Sequence, residues 1–214
     1  MNKNLKIFYH LFTENYWKEI FQSHLESIID SELYNSIESM MVYVIWKKEE
    51  DLQKAIDICQ PYSKIKVRNR NFSENIPFDM NHRVCKIGQK WTKEEDGGEC
   101  FEIQLAEGET LLKVVDDAKK NPDEEANYLY LHSKGSSSQC ISRQKNKKYE
   151  EVKNHPMTGQ TERGLQVVKN FVFDWKWSVE KLETHNWIGP VKGEKFAPVY
   201  GTSINMWWAT SSLL

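Results

Sequence analysis

Two alternating apolar patterns along the chain restrict its possible folds more than any other feature. Short continuous apolar runs, typical of strands buried on both faces, alternate with stretches whose apolar residues recur every three or four positions, as in amphipathic helices. The continuous runs cover 5–12, 40–46 and 128–131, and a further strand-like stretch covers 63–70. The helical patterns cover 17–29, 52–59, 110–118 and 165–182. This order predicts an α/β fold with a mostly parallel central sheet of about six strands, flanked by helices on both faces.

The length of 214 residues suits a single domain, 1–214. Within it, 63–70 alternates apolar and basic residues, which predicts a strand near the edge of the sheet. Thr110 is a candidate N-cap for the helix that follows it. The chain ends on the apolar pair Leu213 and Leu214 without a polar tail, which is typical of a segment taken from a longer polypeptide with further domains.

Charge and cysteine usage exclude several classes of protein. The 29 Lys and Arg residues are nearly balanced by 31 Asp and Glu residues, whereas nonspecific nucleic-acid binding usually requires a strongly basic domain. No apolar stretch approaches the ~20 residues of a membrane span, and the N-terminus lacks the apolar core of a signal peptide. The four cysteines are widely spaced, which indicates neither a zinc site nor a disulfide framework. We therefore expect a cytoplasmic protein without a membrane span and without a nucleic-acid partner.

Basic residues follow three of the four predicted parallel strands. In open α/β sheets, ligands bind beyond the carboxyl ends of the strands. Here those ends carry Lys47 after the second strand, Arg70 after the third, and His132 with Lys134 after the fourth. Such a rim either attracts an anion such as phosphate or is simply a solvated charged surface.

Several catalytic fingerprints are absent from the sequence. There is no GxGxxG of a dinucleotide fold and no GxxxxGK[ST] of a P-loop NTPase. There is also no GxSxG hydrolase elbow and no HExxH metal motif. The sequence is therefore compatible with a nucleotide-type α/β domain that lacks the usual phosphate-binding loops.

The segment from Tyr128 to Gly135 is the most specific signal in the chain. The Lys134 ammonium would bring a fixed positive charge to a diphosphate, and Gly135 would allow close approach of the backbone. His132 could donate to a phosphate or ligate a metal ion, although a lone histidine is more often a hydrogen-bonded structural residue.

The chain resembles the small glycosyltransferases of large chlorella-infecting viruses and related bacterial polysaccharide glycosyltransferases. The resemblance spans most of the chain and is carried by YLYLHSKG after GETLLKVV, by the opening KIFYHLFTENYWKEIFQSHLESIIDSELY, and by the closing GTSINMWWATSSLL. Its markers are H-[ST]-K-G at a strand end and the late G-x(3)-N-x-W-W-A. It implies a GT-A-like nucleotide-diphospho-sugar transferase fold, a UDP-sugar donor, a glycan or glycoprotein acceptor and, for a viral protein, the host cytoplasm.

The resemblance also assigns roles to positions of this sequence. It implies a nucleotide-binding half, 1–135, and a sugar and acceptor half, 136–214. The residues expected to bind the nucleotide-sugar are His10, Asp79, His132, Ser133, Lys134, Gly135 and Arg163. A divalent cation, Mn²⁺ or Mg²⁺, is implied as well, yet the chain has no Asp-x-Asp motif: His132 and Lys134 stand where the two aspartates would be. The candidate metal ligands are His132 and Asp79, and Lys134 could supply part of the cation's electrostatic role.

The tail is expected to contact the sugar and the acceptor. The residues with suitable chemistry are Gly201, Asn205, Trp207 and Trp208. Two adjacent tryptophans on a helix cannot share one face, so one of them is expected in the core. The catalytic base remains unassigned among Asp79, Glu162, Asp174 and Glu194, and the stereochemistry of transfer, the sugar and the acceptor stay open.

Two other functions compete with the transferase. The missing Asp-x-Asp motif is compatible with a non-catalytic carbohydrate- or nucleotide-binding domain that retains the transferase fold. A weaker alternative is a nucleic-acid module using the basic side chains of Lys64, Lys66, Arg68 and Arg70.

Overall fold

The computed structural model describes six stretches of the chain. They are residues 4–13, 16–71, 105–120, 125–133, 168–189 and 206–214. In the stretch 125–133, the side chains from Ala126 onward are buried. All six strands described belong to one sheet.

The strands form a mixed, mostly parallel sheet. They are β1 (Asn4–Phe12), β2 (Ser39–Trp46), β3 (Ile65–Asn71), β4 (Ala126–His132), β5 (Trp187–Ile188) and β6 (Trp207–Thr210), in the order β3-β2-β1-β4-β6-β5. The first four run parallel, whereas β6 is antiparallel to both β4 and β5. The α/β class with a mostly parallel sheet of about six strands is confirmed. The position of β3 at the edge is confirmed too.

The helices follow the predicted periodicity closely. They are α1 (Trp17–Asp30), α2 (Leu33–Ser36), α3 (Glu49–Cys59), α4 (Leu105–Lys120) and α5 (Trp175–Lys181), with a final 3₁₀ turn at Ser211–Leu213. Residues 168–173 are helical as well, and a turn at Asp174 separates them from α5. Helical hydrogen bonding nevertheless continues across this turn, since the Asp174 amide donates to the Asn170 carbonyl at 2.9 Å and the Ser178 amide to the Asp174 carbonyl at 3.0 Å.

Apolar clusters cover both faces of the sheet. On one face, alternate residues of β1 such as Ile7 and Tyr9 pack with α1, α3 and the region of α5. On the other face, Phe8 packs with Val114 of α4 and with Tyr128 of β4. Successive strand residues point to opposite faces, so helices on both faces are what bury β1 and β4 along nearly their whole length. The predicted placement of helices on both sides of the sheet is therefore confirmed.

One predicted helix start is wrong. Thr110 lies inside α4, which begins at Leu105, so it is not the N-cap. The segment just before Thr110 is polar and contains Gly108, which has a low helix propensity. Apolar periodicity therefore does not reveal the first turn of this helix.

Candidate functional site

The strand order creates a switch point between β1 and β4. The chain leaves β1 toward β2 and β3 on one side, and then returns to the other side of β1 as β4. In open α/β sheets a crevice forms outside the carboxyl ends of the strands where the order reverses, and ligands bind there. The register pairs His10 of β1 with His132 of β4 at this edge. Two residues predicted to bind the nucleotide-sugar are therefore neighbours.

His10 is held by the helix that covers its face of the sheet. Its side chain is buried, and Nδ1 lies 2.9 Å from the Thr110 hydroxyl oxygen. This hydrogen bond fixes the imidazole against α4, about one turn into the helix from its start. The sequence did not identify Thr110 as a partner of His10, because 100 residues separate them.

Ser133 extends the pairing of β4 with β1 past the last strand residue. Its amide donates to the His10 carbonyl at 3.0 Å, and its hydroxyl oxygen accepts a hydrogen bond from the Phe12 amide at 3.0 Å. The side chain thus satisfies a backbone donor of β1 beyond the last register pair of β1 and β4. Ser133 therefore has a structural role, since it fixes the point at which the chain leaves the sheet toward Lys134.

His132 sits at the carboxyl end of β4 but is largely enclosed. Its side chain is 8% exposed, and its ring lies nearly parallel to that of Tyr130, with centroids 6.2 Å apart. The Tyr130 ring stacks in turn on Trp207 of β6 at 5.4 Å. The rings of His132, Tyr130 and Trp207 therefore link the carboxyl end of β4 to β6.

A second polar pair lies behind the edge, on the opposite face of β1. The Tyr9 hydroxyl is 2.6 Å from Nδ1 of His24, a residue of α1, and both side chains are buried. Burial, and in second place the charge of the nearby His132, lowers the pKa of His24 to about 3. Burial raises the pKa of Tyr9. His24 is therefore neutral at pH 7, and its Nε2 is buried without a hydrogen-bond partner among the described residues.

The carboxyl-end edge of the sheet beside β1 carries charges of both signs. The Lys47 ammonium, just after β2, lies over the Phe12 ring at 5.4 Å from its centroid. Lys48 follows, and its ammonium is 3.9 Å from a carboxylate oxygen of Glu50 in the first turn of α3. Lys47 and Lys48 lie at this edge, and the acidic first turn of α3 partly offsets their charge.

The two tail tryptophans lie on a strand, not on a helix. Because side chains alternate across a strand, they face opposite sides of the sheet. Trp208 is fully buried in the larger apolar cluster, whereas Trp207 is half-buried and stacks on Tyr130. Trp208 is the core residue of the pair, and Trp207 is the one that remains a candidate for contact with a sugar.

The remaining predicted site residues lie outside the described stretches. They are Asp79, Lys134, Gly135, Arg163, Gly201 and Asn205. Their roles stay predictions.

The donor set at the described edge does not fit Mn²⁺ or Mg²⁺. These cations prefer carboxylate, carbonyl and water oxygens, whereas His10 and His132 offer ring nitrogens. Within the part of the chain that the structure describes, no three His, Cys, Asp or Glu residues are grouped so as to hold a metal ion. Carboxylate ligands for such a cation would have to come from elsewhere, and Asp79 is the residue that the sequence suggests.

Comparison of the chain with protein-family models, with curated proteins and with solved structures gives no match. The likeness to glycosyltransferases thus depends on the motif residues of the sequence itself. Among the described residues, no helix combines the length and the apolar character needed to cross a membrane.

Proposed function

We propose that the protein is a GT-A-like glycosyltransferase that moves a sugar from a UDP-sugar to a glycan acceptor. The observation that carries the proposal is the convergence of His10, His132 and Ser133 at the β1/β4 switch point. These residues belong to the sequence segments with the transferase resemblance. The place in the fold and the resemblance are independent reasons to look for a ligand at the same edge.

The diphosphate of the donor would bind in the crevice beyond β1 and β4. Ser133 is fixed to β1 by two hydrogen bonds, so the next residues start from a defined point at the mouth of this crevice. Lys134 would place its ammonium beside the phosphates, and Gly135 would let the backbone approach them. His10 and His132 would form the floor of the site, consistent with their burial.

The chemical step needs positive charge where the leaving group becomes more negative. Breaking the bond between the anomeric carbon and the diphosphate passes through an oxocarbenium-like transition state, and cations directed at the leaving oxygens lower its free energy. Lys134 is the main candidate for this role, with Arg163 as a second. The sugar and the acceptor would lie toward β6, where Trp207 offers an aromatic ring beside Gly201 and Asn205 in the sequence.

Nucleotide calorimetry combined with a donor-hydrolysis assay tests this proposal. The intact protein is titrated with UDP, GDP and inorganic pyrophosphate, each with and without Mn²⁺, and UDP-sugar turnover is followed by release of UDP. We expect UDP to bind most tightly, and Lys134→Ala to reduce turnover by about a hundredfold or more, the size of effect seen when a preorganised charge is removed. Lys113→Ala is the matched control, because Lys113 is an exposed lysine on the outer side of α4 that pairs with Asp116.

The competing function is nucleotide or carbohydrate binding without catalysis. The burial of both His10 and His132 favours it, because enclosed imidazoles suit a structural or binding role better than proton transfer. UDP binding without turnover of any UDP-sugar, in the presence of acceptor glycans, would select this alternative. Equal indifference to all the nucleotides would contradict both.

A further inference from the structure

Two large aromatic side chains lie exposed on the outer face of the helical segment that ends in α5. Phe173 is 46% exposed and Trp177 is 49% exposed. They are four residues apart, so they lie on the same face of the helix with a rise of about 6 Å between them. Single exposed apolar side chains are common on protein surfaces, but two adjacent aromatics indicate a contact surface.

This segment is firmly attached to the body of the protein by its inner face. Val172 and Leu182 are buried in the larger apolar cluster. The Trp175 indole N–H donates to the Ser31 carbonyl at 3.0 Å, which ties α5 to the end of α1. The exposure of Phe173 and Trp177 therefore belongs to a packed helix and not to a loosely attached one.

A lysine ammonium group lies over each of the two exposed rings. The Lys169 ammonium lies over the Phe173 ring at 5.7 Å from its centroid, and the Lys181 ammonium lies over the Trp177 ring at 5.9 Å. The four residues follow one another at intervals of four and form a single row, which we call the aromatic row. Each ring thus lies next to an ammonium group, and each of the two aromatic residues is nearly half exposed.

The charges around the aromatic row are balanced. Beside its two lysines stands Lys176, whose ammonium is 3.7 Å from a carboxylate oxygen of Glu32. Asp174 and Glu180 are exposed on the same segment. An anionic membrane would require an excess of positive charge here. A surface with ammonium donors, carboxylate acceptors and open aromatic faces instead complements a neutral polyol, whose hydroxyls both donate and accept and whose C–H faces stack on rings.

We infer that the aromatic row is a docking platform for a neutral glycan, which holds the acceptor chain outside the transfer site. The identification of this glycan as the acceptor rests on the proposed function, but binding of the glycan does not require catalysis. Two aromatic residues whose positions on the helix differ by a rise of about 6 Å would contact neighbouring sugar units of one chain.

Affinity gel electrophoresis with neutral polysaccharides tests the inference. The intact protein is run through native gels that contain β-glucan, xylan, mannan or galactan, without any nucleotide. We expect at least one of them to retard the protein, and Phe173→Ala and Trp177→Ala each to weaken retention by about tenfold, a factor that corresponds to the loss of one aromatic stacking contact. Leu112→Ala is the matched control, because Leu112 is equally exposed at 48% but lies on α4, on the opposite face of the sheet.

Each other outcome contradicts the inference. Absence of retardation in all four gels, or equal retention of the doubly substituted protein, would overturn it. Self-association that the two alanine substitutions abolish would identify the row as an interface between copies, and binding confined to lipid vesicles would identify a membrane surface. UDP titration of the same variants separates this test from the proposed function, because their nucleotide affinity should not change.

Discussion

Replacement of His24 by glutamine should remove a defined part of the acid sensitivity of the fold. The pKa of His24 is lowered from 6.5 to about 3, first by burial and second by the charge of His132. In the unfolded chain the same imidazole titrates near its ordinary value. Between these two pKa values, the unfolded state binds a proton that the folded state does not, so folding stability falls as the pH decreases.

The magnitude follows from the width of this window. A shift of one pKa unit corresponds to about 1.4 kcal/mol, so the whole interval is worth on the order of 5 kcal/mol. Lowering the pH from 7 to about 4.5 should therefore cost the native protein about 3 kcal/mol through His24 alone. Above the ordinary pKa the imidazole is neutral in both the folded and the unfolded state, so this cost in folding stability is absent.

Urea unfolding of the native protein and His24→Gln at pH 7 and at about 4.5 measures the effect. Glutamine can still form a hydrogen bond with the Tyr9 hydroxyl but does not titrate. The difference in unfolding free energy between the two pH values should shrink by about 3 kcal/mol in the variant. His185→Gln is the control, since His185 is exposed and its replacement should leave the difference as it was. An unchanged pH dependence in His24→Gln would refute the assignment of acid sensitivity to this residue.

Two further pairs of substitutions test how the sheet is packed. Asp117→Ala should cost about 1–3 kcal/mol in urea unfolding, because it removes the carboxylate that lies 3.1 Å from the buried Lys6 ammonium and accepts from the Tyr128 hydroxyl. Asp116→Ala, which breaks an exposed pair, should cost below about 1 kcal/mol. Equal costs would contradict this reasoning. Trp208→Ala should destabilise by about 3–5 kcal/mol and Trp207→Ala distinctly less, because only Trp208 is fully buried; the reverse order would show that β6 has the opposite face toward the core.

The sheet could be predicted from the sequence because its strands are sharply patterned. The run at 40–46 is continuously apolar, as a central strand must be when helices cover both faces. The alternation in 63–70 reflects an edge strand with one open side, and β3 indeed lies at the edge. The antiparallel strands β5 and β6 contain only two and four residues, so no hydrophobic periodicity in the sequence identifies them.

The strand ends that carry the candidate site could be predicted from the sequence, but the contacts of the residues there could not. A polar segment after a buried strand indicates a carboxyl end. The pairing of His132 with His10 follows instead from the strand order, which the sequence pattern does not give. The partners that fix these groups come from distant parts of the chain, as with Thr110 and His10 or Tyr9 and His24. No local pattern encodes such pairs, because they arise only when the helices pack onto the sheet.

Backbone amide shift mapping by NMR during titration with UDP addresses the β1/β4 crevice itself. If the nucleotide binds at the switch point, the largest shifts will fall on His10 and Ser133, at the carboxyl ends of the two strands. Asn4 and Ala126, at the opposite ends of the same strands, should stay unchanged. Saturable binding whose shifts cluster at Asn4 and Ala126, or no shifts at all at millimolar UDP, would contradict a nucleotide-sugar site at this edge.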